Sequence, residues 1–191
     1  MNDYQTDVSP EECGYPEILD LIRSTVDEDR RCEPSEYRGE LRIIIEPEDL
    51  LPVARALKET EPFYFLHLSD ITAVDYPDRE EGRFDVVYQF YSFKINERVR
   101  LRLIVGEDES VPSLTPLWDT ADWLERECYD MFGVEFDGHP KLERILMPKA
   151  TRSHPLRKDY PLEPRKNYQE RRPEVAQEAE EWEIDREHHP R

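Results

Sequence analysis

Two hydrophobic periodicities alternate along the chain and predict most of its secondary structure. Apolar side chains recur every three to four residues in three segments, which is typical of amphipathic helices; these segments are 15–27, 47–59 and 116–132. Short β-branched or alternating runs predict strands; these runs are 41–46, 63–74, 84–93 and 98–105. Gly39 is expected to turn the chain into the first of them, and Gly133 to end the last helix.

The order of these elements predicts an α+β fold. The last three strands follow one another through short turns, so we expect an antiparallel meander. In the strand at 98–105, Arg98, Arg100 and Arg102 alternate with apolar residues, so one face of the sheet is expected to contact water. The fold class is therefore a two-layer structure, with a mixed or antiparallel sheet, helices on one face and an extended C-terminal segment.

The apolar stripe of the last helix identifies its expected core-facing side. Its members are spaced at helical intervals; they are Leu117, Ala121, Leu124, Cys128, Met131 and Phe132. We expect Leu124, Cys128 and Phe132 to be buried, with Cys128 an inert buried thiol. The opposite side of the helix is predicted to be an interface.

Composition shifts divide the chain into three parts. Residues 1–138 form the predicted α+β domain. Residues 139–162, called the basic strip below, contain six basic and two acidic side chains among several prolines. Residues 163–191 are a charged tail with few apolar residues, expected to be extended or to become ordered on a partner.

The net charge of -19 argues against two classes of partner. Generic nucleic-acid binders and lipid-surface binders are basic, so we expect neither nucleic acid nor direct lipid contact. No apolar run approaches the roughly 18–20 residues that a membrane span needs. The bases are mostly arginine, and an acidic surface poor in lysine is compatible with a salty habitat.

The basic strip follows an acidic domain, and two arrangements would neutralise the positive charge of the strip. It could fold back onto its own domain, or it could dock on another protein. If it docks, Arg157, Lys158 and Asp159 are the expected charged contacts, because arginine in particular pairs well with carboxylates.

Motifs for catalysis are absent from the sequence. It has no glycine-rich phosphate loop and no nucleophile elbow, and its three cysteines are far apart. A metal site could be drawn from Glu127, Asp130, His139 and His154. Each of these histidines precedes a proline, however, and a rigid docking loop explains that equally well. An interaction subunit is therefore favoured over a free-standing metal-dependent enzyme.

The segment from the last helix to the end of the basic strip resembles the thirty-kilodalton subunit family of respiratory complex I, known as the C subunit in bacteria. The resemblance covers roughly residues 41–162. It rests on a Glu-Arg-Glu triplet, an acid before two large apolar residues, and two His-Pro elements; the residues that carry it are Glu125, Arg126, Glu127, Asp130, Met131, Phe132, His139, Arg144, Ile145, Leu146, His154, Arg157, Lys158, Asp159 and Tyr160.

One position departs from the family pattern. The position after Leu142, usually basic in the family, is Glu143 here, and Arg144 follows it. We expect the contact made there to be altered or shifted by one residue.

The resemblance implies a subunit of the proton-translocating NADH:quinone oxidoreductase. Such a subunit would carry no cofactor, because the FMN and the iron–sulfur clusters would reside on partner subunits. It would lie in the peripheral arm on the cytoplasmic face of the inner membrane, beside the forty-nine-kilodalton (D) and twenty-kilodalton (B) subunits. The isolated chain is expected to be non-catalytic. A homologous subunit of a membrane-bound hydrogenase or of a ferredoxin-fed relative is the alternative within the same superfamily.

Overall fold

The computed structural model of the protein describes residues 15–149, 151 and 153–160. The predicted tail at 163–191 lies outside the described residues, as do the acidic residues 1–14 and the last two positions of the basic strip.

The elements follow the predicted order, with additions. The described helices are α1 (Pro16–Thr25), α2 (Leu50–Glu59), which a 3-10 turn at Pro47–Asp49 precedes, and α3 (Ala121–Phe132). The described strands are β1 (Cys32–Tyr37), β2 (Glu40–Ile45), β3 (His67–Asp75), β4 (Phe84–Ser92), β5 (Glu97–Val105), β6 (Ser110–Pro112) and β7 (Glu135–Asp137). Within this described part, the longest helix is α3, and no helix is long and apolar enough to cross a membrane.

A mixed sheet organises the described residues and confirms the α+β fold class. Its five strands run in the order β1-β2-β5-β4-β3. Strands β3, β4 and β5 form the expected antiparallel meander, and β1 and β2 form an antiparallel hairpin. These two units join where β2 runs parallel to β5, with Leu41 facing Val99.

One face of this sheet forms the core. The inward positions alternate with outward ones along each strand, so Ile43, Tyr88 and Leu101 are all fully buried. Helices α1 and α2 cover this face through their apolar stripes. In α1 the buried side chains are Ile18, Leu19 and Ile22, while Leu21 is only partly buried.

The predicted strand at 63–74 begins four residues late, at His67. The preceding residues are used to end α2, whose last carbonyls need donors. The amides of Phe63 and Tyr64 donate to Thr60 O, and the amide of Phe65 donates to Leu57 O. Satisfying the helix end therefore takes precedence over the β propensity of these aromatic residues.

The last helix also begins later than predicted, at Ala121 instead of 116. The residues before it form turns, in which the amides of Leu117 and Trp118 both donate to Leu114 O. Leu117 is nevertheless buried, as predicted, while Leu124 is only partly buried and packs at the edge of the core.

Strands β6 and β7 were not predicted. They pair in parallel, with Val111 facing Phe136, and both of these side chains are buried. Each strand has three residues, too few for a period of two to be visible in the sequence. The pair places the chain entering α3 beside the chain leaving it.

Candidate functional site

Helix α3 and the basic strip form one connected structure, and the family-signature residues make most of the contacts between them. The signature was expected to face other proteins. Instead, the side chains of Glu125, Asp130 and His139 are fully inaccessible to solvent. Each of the three is held by hydrogen bonds to other parts of its own chain.

Glu125 fixes the turn that precedes its own helix. Its carboxylate accepts hydrogen bonds from Ser113 Oγ at 2.7 Å and from the Leu114 amide at 2.6 Å. Burial raises the pKa of Glu125 to about 7, against the opposing effect of these two donors. The residue therefore joins the segment after β6 to α3 inside the domain.

Asp130 holds the middle of the basic strip. Its Oδ2 accepts from the backbone amides of Ile145, Leu146 and Met147 at 3.1, 2.7 and 2.8 Å. Its Oδ1 accepts from Arg144 at 2.6 Å. Burial alone would raise the pKa of Asp130, but these donors outweigh it and lower the pKa below its usual value.

The second His-Pro element closes the C-terminal end of α3. Helix C-termini leave carbonyls without intrahelical partners. Here the Asp130 carbonyl accepts from His154 Nδ1 at 3.1 Å, Met131 O from the Leu156 amide at 3.1 Å, and Phe132 O from Arg157 Nε at 2.5 Å. The cationic Arg157 is also favourable at the negative end of the helix dipole.

Gly133 makes this closure possible. Its φ is +80°, in the left-handed region that favours glycine. A Cβ atom at this position would lie 2.6 Å from an Arg157 nitrogen and 2.7 Å from His154 Nε2. The neutral form of His154 suits this crowded site, because burial lowers its pKa.

The end of the basic strip is bound to the β3–β4 and β5–β6 turns by ion pairs. Arg83 bonds to Asp75 at 2.8 Å, to Glu107 at 2.9 Å and to Asp159 at 2.8 Å. Arg157 bonds to the other oxygen of Glu107 at 2.6 Å. Burial would raise the pKa of Asp75, but Arg83 and the Lys158 amide lower it below its usual value.

The first His-Pro element binds the opposite end of α3. His139 Nδ1 accepts from the Lys141 amide at 3.0 Å, so its Nε2 carries the proton and donates to Asp122 at 3.2 Å. Arg126 Nε donates to the Glu143 carbonyl at 3.0 Å. Since only the backbone of Glu143 is used there, an acid is tolerated, and the next residue, Arg144, makes the buried ion pair.

Other signature residues leave all or part of their side chains accessible. Glu127, Lys158 and Asp159 are exposed, and Tyr160 is partly buried. Lys158 lies with its ammonium 5.1 Å from the centroid of the Tyr76 ring. Exposed apolar side chains accompany them: Trp123, Leu146 and Leu156 are 62%, 60% and 54% accessible.

The described part of the basic strip therefore folds back onto its own domain. This was one of the two arrangements that the charge pattern allowed. The side chains once considered for a metal site do not converge, since His139 bonds to Asp122 and Asp130 is enclosed by strip donors. Among the described residues, no group of three or more His, Cys, Asp or Glu side chains could hold a metal ion.

Sequence reasoning missed the partners of these residues. Asp75, Arg83 and Glu107 carry no motif, and each lies at or near a strand end that was interpreted only as a turn. Ser113 and Asp122 are equally unmarked. The one available signal was the excess of acids in residues 1–138, which a folded-back basic strip would neutralise.

Comparison with known proteins places these features in a family. Residues 43–166 match the family described as "Respiratory-chain NADH dehydrogenase, 30 Kd subunit". The C subunit of NADH-quinone oxidoreductase from Ruegeria pomeroyi is 49% identical over 123 residues, which are 64% of this chain and 61% of that protein. The corresponding Roseiflexus protein is 47% identical over 148 residues, covering 76% of this chain and 83% of that protein.

A mitochondrial relative is also similar. The "NADH dehydrogenase [ubiquinone] iron-sulfur protein 3" of Candida albicans is 47% identical over 127 residues, 66% of this chain. The match spans 45% of that protein's length, so this chain corresponds to about half of it.

Two solved structures share the fold. A trypsin-resistant fragment of Nqo5 is 30% identical, with a TM-score of 0.52, covering 66% of this chain and 98% of the fragment. A chain of an archaeal membrane-bound sulfane sulfur reductase has a TM-score of 0.63 at 22% identity, covering 84% of this chain and 91% of that one. At this identity the second likeness concerns the fold alone.

Proposed function

The chain belongs to the family of the 30 Kd subunit of the respiratory-chain NADH dehydrogenase, and on this premise we propose that it is a cofactor-free structural subunit of a proton-translocating NADH:quinone oxidoreductase. It would lie in the peripheral arm on the cytoplasmic face of the inner membrane. Its neighbours would be the D and B subunits of the complex. FMN and iron–sulfur clusters would belong to other subunits.

One observation supports this role above the others. The buried signature residues fix the basic strip, in which the side chains of Leu146 and Leu156 remain exposed. The amide of Leu146 is bonded to Asp130, and the amide of Leu156 to Met131 O, so both leucines are held at the C-terminal end of α3 while their side chains face solvent. A surface ordered in advance binds a partner at lower entropic cost.

The site chemistry also supports a structural role. Two carboxylates and two histidines of the signature, Glu125, Asp130, His139 and His154, are occupied by bonds within the chain. They therefore hold a shape instead of presenting an acid, a base or a nucleophile. Purified chain should show no NADH oxidation or quinone reduction above the background without protein.

A matched pair of leucines tests the proposal. Leu146 and Leu66 are each 60% accessible, but Leu66 lies just before β3 and is not a signature residue. Leu146→Ser should reduce co-purification with the neighbouring subunits from membranes, while Leu66→Ser should not. Both isolated variants should unfold like the unaltered protein, because neither side chain is buried. Equal assembly of the two variants would contradict the proposal.

The same purification distinguishes the hydrogenase or ferredoxin-fed alternative, since the electron-input subunits that accompany the chain would differ. The similar curated proteins named for comparison are NADH dehydrogenase subunits at 47–49% identity, whereas the sulfane sulfur reductase chain is 22% identical. We therefore propose the NADH:quinone oxidoreductase and not the hydrogenase or ferredoxin-fed complex.

A further inference from the structure

The face of the sheet opposite the helices carries a groove of about 210 Å³ between β1, β2 and β5 and the ends of β3 and β4. Its lining combines the aliphatic side chains of Ile44 and Val87 with the guanidinium groups of Arg42, Arg100 and Arg102. None of these residues contributes to the surface proposed above for subunit contacts. The signature likewise has no member here.

The three arginines are arranged unfavourably for a sheet without a ligand. Arg42 on β2 lies directly opposite Arg100 on β5. Like charges facing each other across strands are destabilising. Arg100 bonds to Glu40 at 3.1 Å and Arg102 to Asp85 at 3.5 Å. Arg42, by contrast, lies 4.5 Å from the centroid of the Tyr37 ring.

The Nε atoms of these arginines lack hydrogen-bond acceptors within the described part of the chain. All three are buried and have no hydrogen-bond partner among the described residues. Buried donors in folded proteins are normally paired, so unpaired ones call for an explanation. Burial, and after it the charge of Arg100, lowers the pKa of Arg42. An incoming carboxylate would supply the acceptor that the three Nε atoms lack, and a countercharge beside Arg42.

The groove is too small for a typical cofactor, since such pockets measure about 300–1,000 Å³. It has room for one or two side chains. The aliphatic floor suits an apolar residue beside the carboxylate. Three acids also line the groove, Glu33, Glu36 and Asp85, and would repel a polyanion such as a nucleic acid more strongly than a single carboxylate. Asp85 is already paired with Arg79 and Arg102.

We propose that this groove binds an extended acidic segment of a neighbouring protein, in which a Glu or Asp carboxylate bonds to Arg42, Arg100 and Arg102 while an adjacent aliphatic side chain contacts Ile44 and Val87. Extended segments are commonly recognised through such alternate side chains. The arginines then serve as a specificity element on the side of the domain away from the helices.

The full chain, labelled with ¹⁵N, tests this directly through the NMR signals of arginine Nε–H groups. The probe is the capped peptide Val-Glu-Val-Glu-Val, compared with Val-Gln-Val-Gln-Val. The Glu peptide should shift the signals of Arg42, Arg100 and Arg102, and less so at high salt. Arg42→Gln should weaken its binding about tenfold, the loss expected for one charge-assisted hydrogen bond.

Two further variants keep the test decisive. Arg55→Gln removes the same charge from an exposed position on α2 and should leave the affinity unchanged. Arg42→Lys keeps the charge but not the Nε donor, and it should also weaken binding. It replaces Arg42→Gln as the test if that variant does not fold. Absence of a shift, an equal response to the Gln peptide, or an equal response to inorganic phosphate would each overturn the proposal, the last by showing a site for small anions.

Discussion

The pKa values of two buried carboxyl groups are shifted in opposite directions, and the hydrogen-bond donors around each group explain why. Glu125 and Asp130 are both fully inaccessible. Glu125 accepts from two neutral donors, which do not compensate for lost hydration, so its pKa rises. Asp130 accepts from three amides and a guanidinium, so its pKa falls. At the scale of a residue, the number and charge of the donors decide the protonation state.

Glu125→Gln should change the pH dependence of stability. A carboxyl whose pKa is raised on folding binds its proton more tightly in the folded state. Its contribution is therefore complete below the unfolded value of about 4.3 and is lost as the pH rises through about 7. Relative to the unaltered protein, the Gln variant should gain about 2–4 kcal/mol of unfolding free energy between pH 5 and pH 8.

Urea unfolding at the two pH values measures this change. Glu127→Gln, at an exposed position of the same helix, is the control for the substitution itself. Parallel curves for Glu125→Gln and the unaltered protein would show that Glu125 is ionised throughout this range.

Gly133→Ala separates backbone strain from crowding, because Gly138 provides a matched control. Both glycines have φ near +80°, but a Cβ on Gly138 would meet no atom within 4 Å. Gly138→Ala should therefore cost only the strain of the left-handed conformation, about 1–2 kcal/mol. Gly133→Ala should cost about 1–3 kcal/mol more, because it displaces the charged bond from Arg157 to Phe132 O.

Comparison of the two midpoints in urea gives the difference directly. If the two alanine variants lost equal stability, the contact between Gly133 and Arg157 would have no energetic weight.

At the scale of elements, the basic strip behaves as part of the domain. The unequal environments of Arg157 and Lys158 allow this to be measured. The Arg157 side chain is 16% accessible and bonds to a helix carbonyl, whereas Lys158 is exposed. Arg157→Ala should lower the unfolding free energy of the isolated chain by about 2–3 kcal/mol. Lys158→Ala should change it by less than about 0.5 kcal/mol.

Thermal unfolding of the two single variants is sufficient to separate packing from charge, because each variant removes one positive charge and the two positions are adjacent. An effect of Lys158→Ala as large as that of Arg157→Ala would favour a purely electrostatic role for the strip. Contact between the strip and neighbouring subunits stays a prediction. Co-purification of the Lys158→Ala variant and of an Asp159 variant with those subunits tests it.

Periodicity predicted the elements well where packing alone decides them. The meander, the stripe of α2 and the end of α3 at Gly133 follow from local pattern. The site was predicted only as a set of residues. Glu125 finds its donors 11 and 12 residues upstream, and Asp130 finds its donors 14 to 17 residues downstream. Such pairings depend on the folded chain and leave no periodic trace.

At the scale of the whole molecule, charge is the dominant property. The chain has 45 acidic and 26 basic residues, a net charge of -19. A large net charge disfavours the compact state through self-repulsion. Salt shortens the screening length from about 30 Å at 0.01 M to about 8 Å at 0.15 M. Buried pairs such as Arg83–Asp75 are screened much less than this diffuse repulsion.

The unfolding free energy should therefore increase as NaCl is raised from about 0.02 to about 0.5 M. Thermal unfolding at a series of NaCl concentrations measures it, with KCl as a control for effects specific to the sodium ion. A decrease with salt would mean that the surface ion pairs stabilise the fold more than the net charge destabilises it.

The parallel contact between β2 and β5 sets an expected order of folding. Leu41 and Val99 are 58 positions apart, whereas β3–β4 and β4–β5 are joined by short turns. Closing a long loop before its contacts form is entropically unfavourable, so the meander should assemble first and the β1–β2 hairpin should dock late. Ile71→Val in β3 should then mainly slow folding, while Ile43→Val in β2 should mainly accelerate unfolding. Stopped-flow kinetics of this identical substitution at two buried sites would reveal the sequence of events, and equal φ-values would indicate that both units condense together.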